Sequence, residues 1–253
     1  ATLNEQTHEI KIQQEFLYLN QSPDTLSILY FNDWANAYAH KDTPLAKRFA
    51  DDFKKNLHLA SPEERGATNL IGAVDQNYFS LPWWRTPTKD IVGISLNAPL
   101  PPGMAEKITF TYTVDLPPNK YTSYGYDASG GFFLKDWYLS PAVYKNGKWL
   151  LYANKDLQDL YTQQTNTTIK VNYPKSLFLN SNYTEELENT IVDRRWATLS
   201  AKGKKNAAFY LNVTNNFKRY ELLNTRLVTD IIAEGMDETL ERASVEKIFN
   251  FIG

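Results

Sequence analysis

Ile108-Thr109-Phe110-Thr111-Tyr112-Thr113-Val114 alternates apolar and polar side chains over seven positions. Successive side chains of a strand point to opposite faces, so this stretch is a strand buried on one side and wet on the other. Similar segments lie on both sides of it. Upstream, Ile10, Ile12, Phe16 and Tyr18 and the run from Leu26 to Phe31 form two opening strands, with turn chemistry in Ser22-Pro23-Asp24 between them. Further strands are expected over 69–74, 91–96, 107–114, 132–135, 148–152, 168–173, 177–181, 191–199, 206–212 and 220–229. Asn146-Gly147, between Tyr144 and Trp149, marks a hairpin, because a type I′ turn needs positive φ at both central residues.

The period changes twice. Leu45, Phe49, Phe53 and Leu57 fall four apart and share one helical face, with Thr43 placed to cap and Pro44 at the first helical position. A helical insertion is therefore expected over 44–57. Near the end, Leu240, Val245, Ile248, Phe249 and Ile252 have helical spacing behind the acidic first turn Asp237, Glu238 and Glu241, predicting a helix over 237–252. It either packs back on the sheet or begins a following domain. The fold class is all-β dominated: a multi-stranded twisted β-sandwich or saddle of antiparallel sheets, carrying these two helical pieces.

Composition narrows the function classes. Hydrophobic residues make up 42% of the 253 and charged residues 22%, which is a globular balance. The 14% aromatic share suits pleated surfaces. A net charge of −2 argues against a nucleic-acid partner, since phosphate binding needs clustered Lys and Arg. The group Lys202, Lys204 and Lys205 around Gly203 reads as a solvated turn. With no cysteine, disulfides, thiolate metal sites and cysteine nucleophiles are excluded, and the absence fits export to an oxidising compartment, periplasmic or extracellular. No apolar run reaches the roughly 20 residues of a membrane span, so none is expected in this segment.

No catalytic centre is legible in the sequence. His8, His40 and His58 stand at least 18 residues apart, without metal-ligand spacing. His8-Glu9 lacks the second histidine of H-E-x-x-H. The acid pairs Asp51-Asp52, Glu63-Glu64 and Glu185-Glu186 are sequence neighbours pointing to different faces. Gly130-Gly131 lacks the rest of a phosphate loop. Neither a metal nor an organic cofactor is expected in this chain. Asn20, Asn166, Asn182 and Asn212 head N-x-S/T sequons, and Trp83-Trp84-Arg85 lies near a turn or strand edge, where indoles serve either as core or as ligand contacts.

Four phrases, in order over about 140 residues, resemble the N-terminal domain of aminopeptidase N-like zinc metallopeptidases. Tyr18-Leu19-Asn20 with Ser22-Pro23-Asp24-Thr25-Leu26 is similar to the family's opening "Y-x-N-x-S-P-x-x-L". Asn36-Ala37-Tyr38 with Thr43-Pro44-Leu45-Ala46-Lys47 resembles a subgroup's helical insertion. Leu96-Asn97-Ala98-Pro99-Leu100-Pro101-Pro102-Gly103 resembles the "L-N-x-P-L-x-P-G" crossover. Phe133-Leu134-Lys135-Asp136-Trp137-Tyr138-Leu139-Ser140-Pro141-Ala142-Val143-Tyr144 resembles the stretch ending "T-Q-W-Y-P-K-P-A-V-Y", with Lys135-Asp136 in place of Thr-Gln and Leu139-Ser140 in place of Pro-Lys.

The resemblance implies a β domain over 1–230, with 231–253 forming a linker and the first helix of a catalytic domain. It implies a domain without catalytic residues that packs on its own catalytic domain, where zinc resides, and lends one wall to the substrate cleft. The family's Gln, and the residue two later, lie near the free amino end of the peptide substrate. Here those positions are Asp136 and Tyr138. A carboxylate holds an ammonium well, though Asp136 equally has Lys135 or solvent as a partner. The alternative is a free-standing, aromatic-rich β-sandwich used for binding or adhesion.

Overall fold

The computed structural model describes residues 1–155, 160–205, 207–215, 217–221, 228–232 and 237–252, with backbone alone at 186–188, 221, 228–232, 251 and 252. The chain opens with β1 (Thr2–Asn4), β2 (Glu9–Leu19) and β3 (Leu26–Asn32). A helical insert follows: a 3-10 turn (Trp34–Tyr38), α1 (Pro44–Asp51), α2 (Asn56–Leu59) and a second 3-10 turn (Pro62–Glu64). Next come β4 (Ala67–Val74), β5 (Trp83–Arg85), β6 (Ile91–Leu100), β7 (Ala105–Asp115), β8 (Gly125–Tyr126), β9 (Phe132–Lys135) and β10 (Ser140–Pro141). The hairpin β11 (Val143–Lys145) and β12 (Lys148–Leu150) precedes β13 (Thr165–Pro174), β14 (Phe178–Ser181), β15 (Thr184–Ile191) and β16 (Arg194–Lys204). β17 (Ala208–Asn212), β18 (Phe217–Glu221), β19 (Val228–Ile232) and α3 (Glu238–Ile252) complete the chain. The all-β dominated fold expected from the alternation is the one observed.

One seven-stranded sheet runs β15-β16-β13-β1-β2-β7-β4, antiparallel except where β1 meets β13. Two four-stranded sheets, β10-β3-β6-β5 and β14-β17-β9-β8, accompany it. β7 pairs with β2 from Ala105–Leu19 to Asp115–Glu9. Its Ile108, Phe110, Tyr112 and Val114 are buried while Thr109, Thr111 and Thr113 are not. Phe16 and Phe110 from this sheet meet Phe31 of β3 at ring separations of 5.0 and 4.9 Å, which fixes the core between the long sheet and the β3 sheet.

The chain passes between those two sheets at 20–25 and again at 101–104, and one side chain ties the passages together. Asn20, 1% exposed, donates through Nδ2 to the carbonyls of Asp24 (2.8 Å) and Leu100 (3.0 Å). Its Oδ1 accepts from Ser22 N (3.1 Å) and Ser22 Oγ (2.7 Å), and its backbone pairs with Gly103 and Met104. Gly103 sits at φ +75, where a side chain would strain the turn. Tyr144 then donates to Asp24 Oδ2 at 2.9 Å. Three of the four family-like phrases thus meet in one knot. Their shared residues hold sheets together, and an amide with every polar atom engaged leaves the Asn20 sequon no side chain to offer.

The structure corrects three expected elements. The helix expected over 44–57 is two pieces: Thr43 caps α1 by accepting from Ala46 N (3.3 Å), but Phe53 adopts φ +60 and ends that run. Phe53, assigned to the buried face, is 87% exposed, while Leu45, Phe49 and Leu57 are buried. The strand expected over 191–199 is instead the end of β15, a tight turn and the start of β16, with Val192 at φ +58. The strand expected over 220–229 is divided between β18 and β19, which pair antiparallel; 222–227 lie outside the described residues.

The helix expected over 237–252 is α3. Asp237 Oδ1 accepts from the amides of Thr239 and Leu240, both at 2.9 Å, closing its N-terminus. Val245 is buried and Leu240 exposed; the Ile252 side chain and Gly253 lie outside the described residues. Glu241, 3% exposed, receives Lys218 Nζ at 2.6 Å, so an ion pair joins β18 to α3 across residue 230. No helix among the described residues is long and apolar enough to cross a membrane.

Candidate functional site

An open cleft of about 480 Å³ lies beside the end of β9. The helical insert supplies one wall through Trp34, Tyr38, Phe49 and Lys54, and residues 121–124 supply another. β9 and β17 contribute Phe133 and Tyr210, stacked 4.3 Å apart at 21°, followed by Lys135 and Asp136 at the strand end. A smaller cavity of about 190 Å³ shares Ser123, Phe133 and Tyr210 with it.

Local chemistry positions each wall. Asn36 donates to the Lys89 carbonyl (2.6 Å) and accepts from Thr68 N (3.0 Å), fixing the 3-10 turn. Thr43 Oγ1 bonds the carbonyls of Ala37 (2.7 Å) and His40 (2.9 Å), joining that turn to α1. Tyr38, now pinned, bonds Thr122 Oγ1 at 2.9 Å and packs on Tyr124 with ring centres 5.3 Å apart. Burial pushes the Tyr38 hydroxyl pKa up; the Thr122 bond opposes this and the nearby Asp136 carboxylate adds to it. Tyr124 is also buried, and its hydroxyl has no partner among the described residues.

Asp136 ends β9 at φ +53, a left-handed conformation that Asp tolerates better than most residues. The turn places it half-buried at the cleft. Trp137, 2% exposed, anchors the following step on Phe209, ring centres 5.5 Å apart. Tyr138 lies elsewhere: it does not line either cavity, and its hydroxyl is 3.3 Å from that of Tyr183. Burial pushes its pKa up, with Tyr183 adding to the effect. The structure therefore brings Asp136 to the cleft and not Tyr138.

Sequence reasoning missed Tyr38, Lys54, Tyr124 and Tyr210 as cleft residues, because four distant segments supply them. The tyrosines of Tyr121-Thr122-Ser123-Tyr124 were the one local signal. Trp83-Trp84 reads as edge packing: β5 borders its sheet, and the Trp84 ring covers Gly93 so closely that a Cβ there would come within 2.5 Å of it. His8, at a turn with φ +53, stacks on Tyr126 at 3.6 Å, and burial lowers its pKa. Among the described residues no three His, Asp or Glu side chains gather to hold a metal. The cleft lining combines aromatic rings with the Asp136 carboxylate and the Lys54 and Lys135 ammonium groups.

No protein-family model matches the chain, and no curated protein does. Among solved structures it is similar to an M1 zinc metallopeptidase from Deinococcus radiodurans, at 12% identity and TM-score 0.46, with 87% of this chain and 42% of that chain covered. It is similar to a mutant of the Deinococcus radiodurans enzyme bound to a Tyr-Ser-Ala substrate, at 11% and 0.47, covering 91% and 44%. A mutant two-domain M1 zinc metallopeptidase bound to L-arginine gives 11% and 0.49, again covering 91% and 44%. The chain spans less than half of each.

Proposed function

We propose that this chain is the non-catalytic β domain of a zinc aminopeptidase, packing on its own catalytic domain and forming one wall of the substrate cleft. The observation that carries this reading is Asp136, held by a left-handed turn at the edge of an open aromatic cleft, at the position where the family-like phrase carries its substrate-facing Gln. Its carboxylate takes the ammonium of the peptide's free amino end, and the aromatic walls take the apolar surface beside it. A hydrogen bond between charged partners contributes about 1.5–3 kcal/mol. Zinc would be held by the catalytic domain and would supply Lewis-acid chemistry there; the role of this chain is to bind and orient. The parent works in an exported compartment, in keeping with a chain that has no cysteine.

The test separates domain from parent. The pure chain is expected to retain no stoichiometric zinc and to leave aminoacyl substrates intact. The reading frame beyond Gly253 is expected to encode H-E-x-x-H with a further Glu about twenty residues on, and its full product to show both properties. Zinc or hydrolysis in the pure chain, or a frame lacking the motif, overturns the reading.

A further inference from the structure

Residues 136–139 lie between β9 and β10 and belong to no sheet ladder. A backbone segment outside a ladder still needs partners for its N–H and C=O groups. At Leu139, two side chains of the long sheet supply both. The Leu139 N–H donates to the Tyr112 hydroxyl at 3.2 Å, the Tyr112 hydroxyl donates to Gln14 Oε1, and Gln14 Nε2 donates to the Leu139 carbonyl at 2.9 Å.

This ring has a single proton order. An amide N–H can only donate, so the hydroxyl accepts there and must give its own proton to Gln14. The carbonyl can only accept, so Gln14 turns its nitrogen towards Leu139. Tyr112 is 1% exposed on β7, and Gln14 stands on the neighbouring strand β2, in the most extensively paired part of the fold. Leu139 is itself 1% exposed and Trp137 2%. The ring closes one end of a four-residue span whose other end is β9, and Asp136 stands inside that span.

We infer that Tyr112 and Gln14 are positioning residues, a side-chain latch through which the long sheet sets where the Asp136 wall stands. The latch is specified by geometry, and its functional consequence rests on the proposed role of Asp136. With the latch open, the Leu139 amide loses its acceptor and the wall gains freedom between two fixed anchors. The long sheet keeps its own ladder bonds, so the loss is local.

The experiment compares Tyr112→Phe, which removes the hydroxyl alone, with Gln14→Met, which keeps the bulk and leaves the hydroxyl able to accept from Leu139. Hydrogen exchange of the 253-residue chain is expected to show the Leu139 amide exchanging roughly tenfold faster or more in Tyr112→Phe and less so in Gln14→Met, with the β2–β7 ladder amides unchanged. In the full-length protein, Tyr112→Phe is expected to raise KM for free-amine substrates several-fold at little cost in kcat. If Leu139 exchange is unaltered in both variants, or rises only in step with the ladder amides, the latch is refuted. If exchange changes locally while KM stays put and Asp136→Asn alters KM, the positioning role is refuted. If Asp136→Asn leaves KM alone, the cleft reading falls, and exchange at Leu139 still decides the latch.

Discussion

Asp33 and Asp136 are two carboxylates on the helical-insert side of the molecule with opposite surroundings. Asp33, 2% exposed, uses both oxygens: Oδ2 receives Arg85 at 2.7 Å and Oδ1 receives Thr68 Oγ1 at 2.7 Å. Arg85 in turn donates to the carbonyls of Lys89 and Thr68, both at 2.8 Å. Asp136 is half-buried on a strained turn beside an open cleft. A charge enclosed by fixed donors stabilises a fold, because removing one partner strands the other in a low-dielectric interior. Asp136 instead lines the rim of an open aromatic cleft, the place where we propose that a ligand meets it. The difference separates the residues that build this domain from the one we assign to substrate.

The comparison is most severely tested by Arg85→Met. It strands Asp33 and should cost about 3–5 kcal/mol in urea unfolding of the chain; a loss below about 1 kcal/mol would mean that the enclosed charge is not structural. Asn20→Ala comes next, since it removes four side-chain hydrogen bonds at the sheet-to-sheet knot, for an expected loss of about 2–3 kcal/mol by the same assay. A loss restricted to the 20–25 turn, seen as local exchange without a shift of the unfolding midpoint, would show the knot to be local.

Asp90 sharpens the point by being an imperfect case of enclosure. It is 0% exposed, accepts from Asn154 N at 2.6 Å through Oδ2, and has no partner for Oδ1 among the described residues. Burial pushes its carboxyl above the usual carboxylate range, with the Asn154 amide opposing. A folded pKa above the unfolded one favours the native state at low pH, and that benefit is lost as pH rises from about 4 through the folded value. The stability of Asp90→Asn relative to the native chain should therefore improve as pH rises through this window. A difference that stays flat with pH would contradict it. The smallest effect belongs to Tyr138→Phe, which gives up a 3.3 Å contact with Tyr183 and should cost under about 1 kcal/mol, leaving KM of the full-length protein unchanged. A large KM effect would return Tyr138 to the site.

Much of the fold was legible wherever local chemistry and tertiary packing agree. The alternation in β7, the Thr43-Pro44 cap and the Asn146-Gly147 turn, with φ of +54 and +73, all stand as read. Two of the three misses share a cause: a non-glycine residue with positive φ that no local signal announces. Phe53 breaks the expected helix and Val192 turns an expected strand back on itself. Val192 is the more opaque, since a β-branched residue seldom takes that conformation. The site was less legible than the fold. Asp136 came from a resemblance, and the structure places it at a cleft, but the tyrosines around it come together only when the helical insert, residues 121–124, β9 and β17 are assembled. Tyr112 read as a core residue of an alternating strand, and nothing in the pattern tells that its hydroxyl holds the Leu139 backbone.

We propose that Asp136 receives the free ammonium of a peptide. Its most direct test is steady-state kinetics of the full-length protein on aminoacyl substrates with Asp136→Ala. KM is expected to rise roughly tenfold or more while kcat changes far less, the consequence of losing one charge-assisted contact of about 1.5–3 kcal/mol. An unchanged KM would contradict it.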